Sequence, residues 1–521
     1  MKDLTSSVYS FEDLVQGNFL YVDKTEYIWQ LIRPAKGMYF LSRPRRFGKS
    51  LTLSTLKAVF EGKKELFKGL AIYDKPYDWK RHPVIHLDMN GRNFSTLDNM
   101  ESRFRQILKE QAKINGIELP ETASDTMFHT LIQTLHDWDG DVVILLDEYD
   151  KPILNNISKE NVSDFLTSLK VFYSVIKEKS GMIRLAFITG VSKFCHVSLF
   201  SDLNNLTDIT MDYNYAAMLG YTQKEFETYF ADRIELASKH LNMPKDQLLP
   251  KIKLWYDGYK FHEDAQNVYN PVSLAEFFQK RFKFDNYWFS TGTPSFLMEL
   301  IKKTKFNFDD VLSKPVSSMA FNAFEIDKID PLTLLLQTGY LTIKSMVQKY
   351  NMPWYWLDFP NREVSFSFNT SLVNAYAGKS DNFVTNFNEQ LAESMETGNV
   401  KQLRKTMEVF FAGIPYDVHH KNENNFQNIF FALSRLLGYY IKAESHTNDG
   451  RIDAVAETDQ YVFIFEFKLD KDDSALSQIR DKKYFRQYEL SQKKILLNGV
   501  TFDTVTGQIA DWQTEEVQVD A

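Results

Sequence analysis

An apolar stretch from Met38 to Leu41 runs into the loop Ser42-Arg43-Pro44-Arg45-Arg46-Phe47-Gly48-Lys49-Ser50, and the loop opens a helical pattern with Leu51, Leu53, Leu56 and Val59 on its apolar face. Strand, loop and helix in that order constrain the fold strongly, because free amides at a helix start converge on one point and favour an anion there. At such a point Lys49 reaches the β- and γ-phosphates of a nucleotide and the Ser50 hydroxyl ligates Mg²⁺. About a hundred residues later, Val142 to Leu146 is an uninterrupted aliphatic run, as expected of a parallel strand buried on both faces. It delivers Asp147 and Glu148 at its carboxyl end, the edge where ligands of open α/β sheets bind. Together the two segments make ATP the first ligand to expect, with Asp147 holding Mg²⁺ through water and Glu148 orienting and deprotonating the attacking water.

The loop departs from the usual phosphate-binding pattern, which begins with a glycine five residues before Gly48; Arg43 stands there. Pro44 has no amide to offer, so the cradle must be shaped differently, with an arginine lending charge. Arg45 and Arg46 are candidates to act on the γ-phosphate, in cis or in trans on a neighbouring copy in a homo-oligomer. A further apolar strand, Ile183 to Ile188, ends at Thr189-Gly190-Val191-Ser192-Lys193, where Thr189 or Ser192 can sense the γ-phosphate.

At 521 residues the chain is too long for one ordinary core. Its 44% hydrophobic and 25% charged content is that of a folded, soluble chain, and the net charge of −8 gives no global basic footprint, so nucleic-acid contact must come from local patches. The single cysteine, Cys195, excludes an intrachain disulfide and a cysteine-based zinc cluster. With no leader-like start and no run of membrane-span length, a cytoplasmic location and no membrane partner are expected.

Strands near 38–42, 84–90, 142–147 and 183–190 alternate with helices near 95–115 and 161–178, which implies a parallel sheet with covering helices. Three parts are expected: an α/β nucleotide-binding domain over 1–205, a mostly helical lid or adaptor over 206–410 with strand-like pieces at Tyr340 to Ile343 and Glu363 to Phe368, and a compact α/β domain over 411–521. In the last, Tyr461 to Asp470 alternates so that Val462, Ile464, Glu466 and Lys468 share one face and Tyr461, Phe463, Phe465 and Phe467 the other. Asp453 lies on the preceding strand, within hairpin reach of Glu466, and Glu423 begins a helix whose apolar face carries Phe426, Phe430, Leu433 and Leu437. Carboxylates at Asp453, Glu466 and Glu423 are a donor set for Mg²⁺, and Lys468 is placed to position or activate a water nucleophile, as a metal-dependent phosphodiesterase needs.

At this point the chain resembles bacterial proteins that pair a predicted AAA-ATPase-like domain with a carboxyl-terminal PD-(D/E)XK nuclease-superfamily domain. The likeness runs through YVDKT at 21–25, SRPRRFGKSL at 42–51, LLDEYDKP at 145–152, FITGVSKF at 187–194 and LNNLTDIT at 203–210. It continues through WYDGYKF at 255–261, YNP at 269–271, QTGYLTI at 337–343, PNREV at 360–364, ENNF at 423–426, GRIDAV at 450–455 and FEFKLD at 465–470. The resemblance implies a P-loop sheet followed by a restriction-endonuclease-like α/β/α domain. It implies phosphate and Mg²⁺ binding at Lys49 and Ser50, metal and hydrolysis roles at Asp147 and Glu148, and a nuclease-like centre at Asp453, Glu466 and Lys468. Arg43 in the phosphate loop is itself typical of these proteins. The expected function is ATP-controlled, Mg²⁺-dependent cleavage of nucleic acid, DNA or RNA, by analogy in bacterial defence or mobile-element conflict. The alternative is a nucleotide-regulated binding protein whose nuclease-like domain does not cut.

Overall fold

The computed structural model describes residues 1–91, 93–157, 159–193, 205–288, 295–304, 306–321, 330–378, 380–412, 429, 432–433, 435–436, 442–444, 454–469, 475–491, 493–503, 506 and 508–517. The chain forms two compact units, one from Met1–Thr291 with Pro315–Glu363, the other from Gly292–Lys314 with Val364–Ala521. The stretch between the first sheet and the last therefore contributes to both.

In the first unit, strands β1 (Gly37–Ser42), β2 (Val84–Asp88), β3 (Val142–Asp147), β4 (Ile183–Gly190) and β5 (Thr207–Asp208) make one parallel sheet in the order β2-β3-β4-β1-β5. Every residue of β3 and β4 is buried, which a strand covered on both faces requires. Helix α1 (Lys49–Phe60) packs on β3, and α2 (Leu97–Ile114), α3 (Ser124–Asp139) and α4 (Val162–Glu178) pack on one another. Thr96 caps α2 by accepting the Asn99 amide, and Met100, Phe104, Ile107, Leu108 and Ala112 then fall on one buried face at helical spacing. Phe104 and Phe128 stack on Phe172 with centroids 4.3 and 5.1 Å apart, contacts of about 0.5–1.5 kcal/mol each beyond their burial.

The same unit holds helices Gln223–Tyr229, Ala231–His240 and Lys245–Tyr256 and helix α5 (Pro271–Gln279) around a core of Phe226, Phe230, Ile252, Tyr256, Leu274 and Phe277. Asn270 explains the YNP motif: its side chain accepts the Val272 and Ser273 amides and Pro271 takes the first helical position, where no amide is missed. Strands β6 (Val316–Ser317), β7 (Thr342–Lys349) and β8 (Met352–Asp358) form an antiparallel sheet in the order β6-β8-β7. Tyr350 and Asn351, both at positive φ, make the tight β7–β8 turn, and β7 starts within the strand-like piece expected at 340–343.

The piece expected as a strand at Glu363 to Phe368 is instead the start of helix α6 (Arg362–Ala377). Its alternation of Val364, Phe366 and Phe368 suits a strand, but Val364, Phe368 and Leu372 are also spaced by four, and it is these three that are fully buried.

In the second unit, β9 (Lys442–Glu444), β10 (Ala454–Glu457), β11 (Tyr461–Leu469), β12 (Lys494–Phe502) and β13 (Ile509–Val517) form a mixed sheet in the order β13-β12-β11-β10-β9. Among the described strands of this sheet only β11 and β12 run parallel, joined through helix α7 (Ala475–Asp481), which seals Val455, Val462, Ile464, Ile495 and Leu497 with Leu476 and Ile479. On the other face Tyr461, Phe463, Phe465 and Phe467 follow one another in ring contact, as the alternation expected. Among the described residues no helix is long and apolar enough to cross a membrane.

Candidate functional site

Strand order brings the first site together. Because β4 lies between β1 and β3, with Leu41 beside Thr189, the carboxyl ends of all three strands meet at one edge. The Thr189 hydroxyl donates to Asp147 Oδ1 at 2.7 Å and the Ser50 hydroxyl, from the first turn of α1, donates to Asp147 Oδ2 at 2.5 Å. One buried carboxylate thus joins the loop-bearing strand, the acidic strand and the strand between them. Gly48 sits at φ 96°, a conformation that disfavours any side chain, and this turns the chain from the loop into α1. The Lys49 ammonium is buried and donates to the carbonyls of Arg43 and Pro44 at 3.0 Å each. Burial pushes its pKa down, opposed by the charges of Glu148, Asp147 and Asp150.

Glu148 follows β3 in the left-handed region at φ 51°, uncommon for a residue with a side chain, and its carboxylate lies 3.2 Å from Lys151. Arg45, Arg46, Lys49, Ser50 and Glu148 line one cavity of about 510 Å³. Arg43 does not: its guanidinium is fully buried and donates to the carbonyls of Ser42, Thr210 and Tyr215, so it anchors the loop's base. Desolvation brings its pKa down to about 9.

Ser192, the alternative to Thr189, belongs to a different contact. Asp150 is fully buried and accepts the Val191 amide, the Ser192 amide and the Ser192 hydroxyl at 3.1, 2.8 and 2.7 Å. Burial raises its pKa against the pull of those hydrogen bonds from Ser192. Asp150 fixes the turn after β4, and sequence reasoning passed over it although it is the third acid of LLDEYDKP.

Glu363 was likewise missed as a polar core residue. It is fully buried, and desolvation pushes its carboxyl up to about 7 even though the Trp288 amide and the Ser273 hydroxyl donate to it and the Arg46 charge pulls the other way. The folded chain therefore holds a proton that the unfolded chain, with an ordinary value of 4.5, has released. The stabilising contribution is full below that ordinary value and is lost as pH rises through about 7. Urea unfolding at stepped pH is expected to show a shallower fall in stability over that window for E363Q than for the wild type; equal slopes would assign the fall to other groups.

The second site lies on β11. Glu466 is buried, Lys468 lies 3.4 Å from its Oε1, and Gln478 on α7 donates to the same oxygen. Gly499 stands beside Glu466 on β12, and a Cβ there would lie 2.6 Å from the Leu476 amide, so only glycine lets α7 approach closely enough to place Gln478. Asp453 and Glu423 lie outside the described residues. Among the described residues the β10–β11 ladder runs as far as Ala454 beside Phe465, the residues next in sequence to Asp453 and Glu466.

A P-loop parallel sheet and a mixed sheet of the nuclease type, carried on one chain, define the class. Residues 6–200 match the family described as a predicted AAA-ATPase, and residues 421–512 match the PD-(D/E)XK nuclease superfamily. The chain is 35% identical over 529 residues to an uncharacterized protein in the vnfD 5′ region of Azotobacter chroococcum mcd 1, covering 99% of each. It belongs to the family of proteins that join an AAA-ATPase-like domain to a carboxyl-terminal PD-(D/E)XK nuclease-superfamily domain.

Proposed function

We propose that this chain binds and hydrolyses ATP with Mg²⁺, and that its nucleotide state controls Mg²⁺-dependent cleavage of nucleic acid by the domain over 411–521. The observation that carries the first half is the convergence of Ser50 and Thr189 on Asp147 beside Lys49. A hydroxyl and a carboxylate already in contact are the oxygen donors a Mg²⁺-nucleotide takes, so the residues fit the group. The cation, when bound, would neutralise phosphate charge. The chain's own residues do the rest. Lys49 exchanges two loop carbonyls for phosphate oxygens, the α1 amides receive phosphate, Arg45 and Arg46 lend charge, and Glu148 takes the proton of the attacking water. The cavity is also lined by Leu20, Val22, Ile28, Met218, Leu219 and Pro271, apolar cover suited to a purine base.

For the second half, Glu466 with Lys468 supplies a carboxylate ligand and a cation poised beside it, and Gln478 fixes the carboxylate's orientation. Asp453 completes the centre in this reading, with Glu423 as a further ligand. The three-part division at 205 and 410 is retained as the proposed domain plan, with the 206–410 stretch as adaptor. The net charge of −8 favours the second reading, a domain that binds without cutting.

Lys49→Ala tests the nucleotide assignment. Calorimetry is expected to show ATP affinity falling by about 100-fold or more, the scale of losing a buried charge-assisted contact, with the unfolding transition retained. Equal affinities in mutant and wild type would sink it.

A further inference from the structure

The phosphate loop has a single glycine, yet it is held in a shape with two residues in the left-handed region, Arg46 at φ 64° and Gly48 at φ 96°. The restraint comes from chain far away in sequence. Below the loop, Arg43 lies 4.0 Å from the Phe261 ring centre, and Phe47 meets Tyr259 and Phe261 edge-on at 4.7 and 5.5 Å. Beside it, the Trp288 indole donates to the Arg45 carbonyl at 3.1 Å, and the Arg46 guanidinium donates to the Tyr287 carbonyl at 3.0 Å. Residues 287 and 288 thus grip the two arginines, one by its backbone and one by its side chain.

That grip is itself held. Glu363 Oε1 accepts the Trp288 amide at 2.6 Å and its Oε2 accepts the Ser273 hydroxyl at 2.8 Å, so the carboxyl ties the 287–288 backbone to the start of α5. A fully buried carboxyl away from the reacting groups, satisfied by a backbone amide and a hydroxyl, is a costly choice for packing alone, since an apolar side chain would fill the volume without needing partners. What it supplies here is direction: it fixes where the Tyr287 carbonyl and the Trp288 indole point, and those two groups fix Arg45 and Arg46.

We propose that Glu363 is a positioning residue for the phosphate loop, acting through Tyr287 and Trp288 on Arg45 and Arg46. The inference rests on the reading of that loop as the ATP site.

The test uses the full chain with E363A, E363Q and W288F. In nucleotide-free protein, hydrogen exchange of the 43–50 amides reads the clamp without ATP: about tenfold faster exchange in E363A and W288F is expected, with E363Q close to wild type because its amide oxygen still accepts the Trp288 amide. ATP titration is expected to show about tenfold weaker binding for E363A and W288F, with the double variant no weaker than E363A alone, since both act through one path. Unchanged loop exchange in a folded E363A overturns the proposal, whatever ATP does. So does an additive double variant, which would mark Glu363 as a structural residue only. If E363A does not fold, W288F with E363Q decides, because loop exchange unchanged in W288F overturns it equally. Wild-type protein that fails to bind ATP while E363A still loosens the loop would instead remove the ATP reading and leave the clamp standing.

Discussion

Glu148→Gln is expected to bind ATP with wild-type affinity and to hydrolyse it at least about 100-fold more slowly, the contribution of a well-placed general base. The amide keeps the shape of the side chain at its left-handed position and the cavity wall, and it leaves the hydrogen bonds of Lys49, Ser50 and Asp147 in place. What it removes is the ability to take a proton from water. Calorimetry with ATP and a phosphate-release assay, run on the same preparation, separate binding from chemistry. Turnover equal to wild type would take Glu148 out of this role and leave water activation to another carboxylate at the strand edge, Asp147 being the nearest in sequence.

Glu466→Ala is expected to abolish the proposed Mg²⁺-dependent cleavage of nucleic acid while ATP turnover stays at the wild-type level. The side chain is buried, faces Lys468 and Gln478, and belongs to a different compact unit from Lys49 and Asp147, so its loss leaves two polar partners without their carboxylate and removes none of the groups of the proposed nucleotide site. E466Q, which preserves volume, separates chemistry from folding: it is expected to keep the unfolding transition and still fail to cut. Asp453→Ala behaves in the same way in this reading. Labelled DNA and RNA incubated with Mg²⁺ and ATP give the measurement. Absence of cleavage by the wild type in every nucleotide state would favour the binding-only alternative.

The parts of this protein that were legible in the sequence are those whose signals are local. Gly48-Lys49-Ser50 announces itself because a strand, a turn and a helix start are each written in neighbouring residues, and β3 does so because an unbroken aliphatic run has few other uses. In β11 the alternation separates Val462, Ile464, Glu466 and Lys468 from the aromatic ladder without reference to any other strand. The ambiguous case was Glu363 to Phe368, where residues spaced by two and by four are both apolar, and burial on the helical spacing resolved it.

The sequence by itself determined which residue types stand at the end of each strand and the start of each helix, because propensity and periodicity act over a few residues. Only the tertiary structure decided which of those ends meet. The insertion of β4 between β1 and β3 puts Thr189 rather than Ser192 on Asp147, and Ser192 on Asp150. Contacts over long separations made Arg43 an anchor beneath the loop, set Glu363 behind Trp288, and let Gly499 bring Gln478 to Glu466. Strand order and the close approach of distant segments depend on how whole faces are buried together, and no stretch of a few residues carries that information.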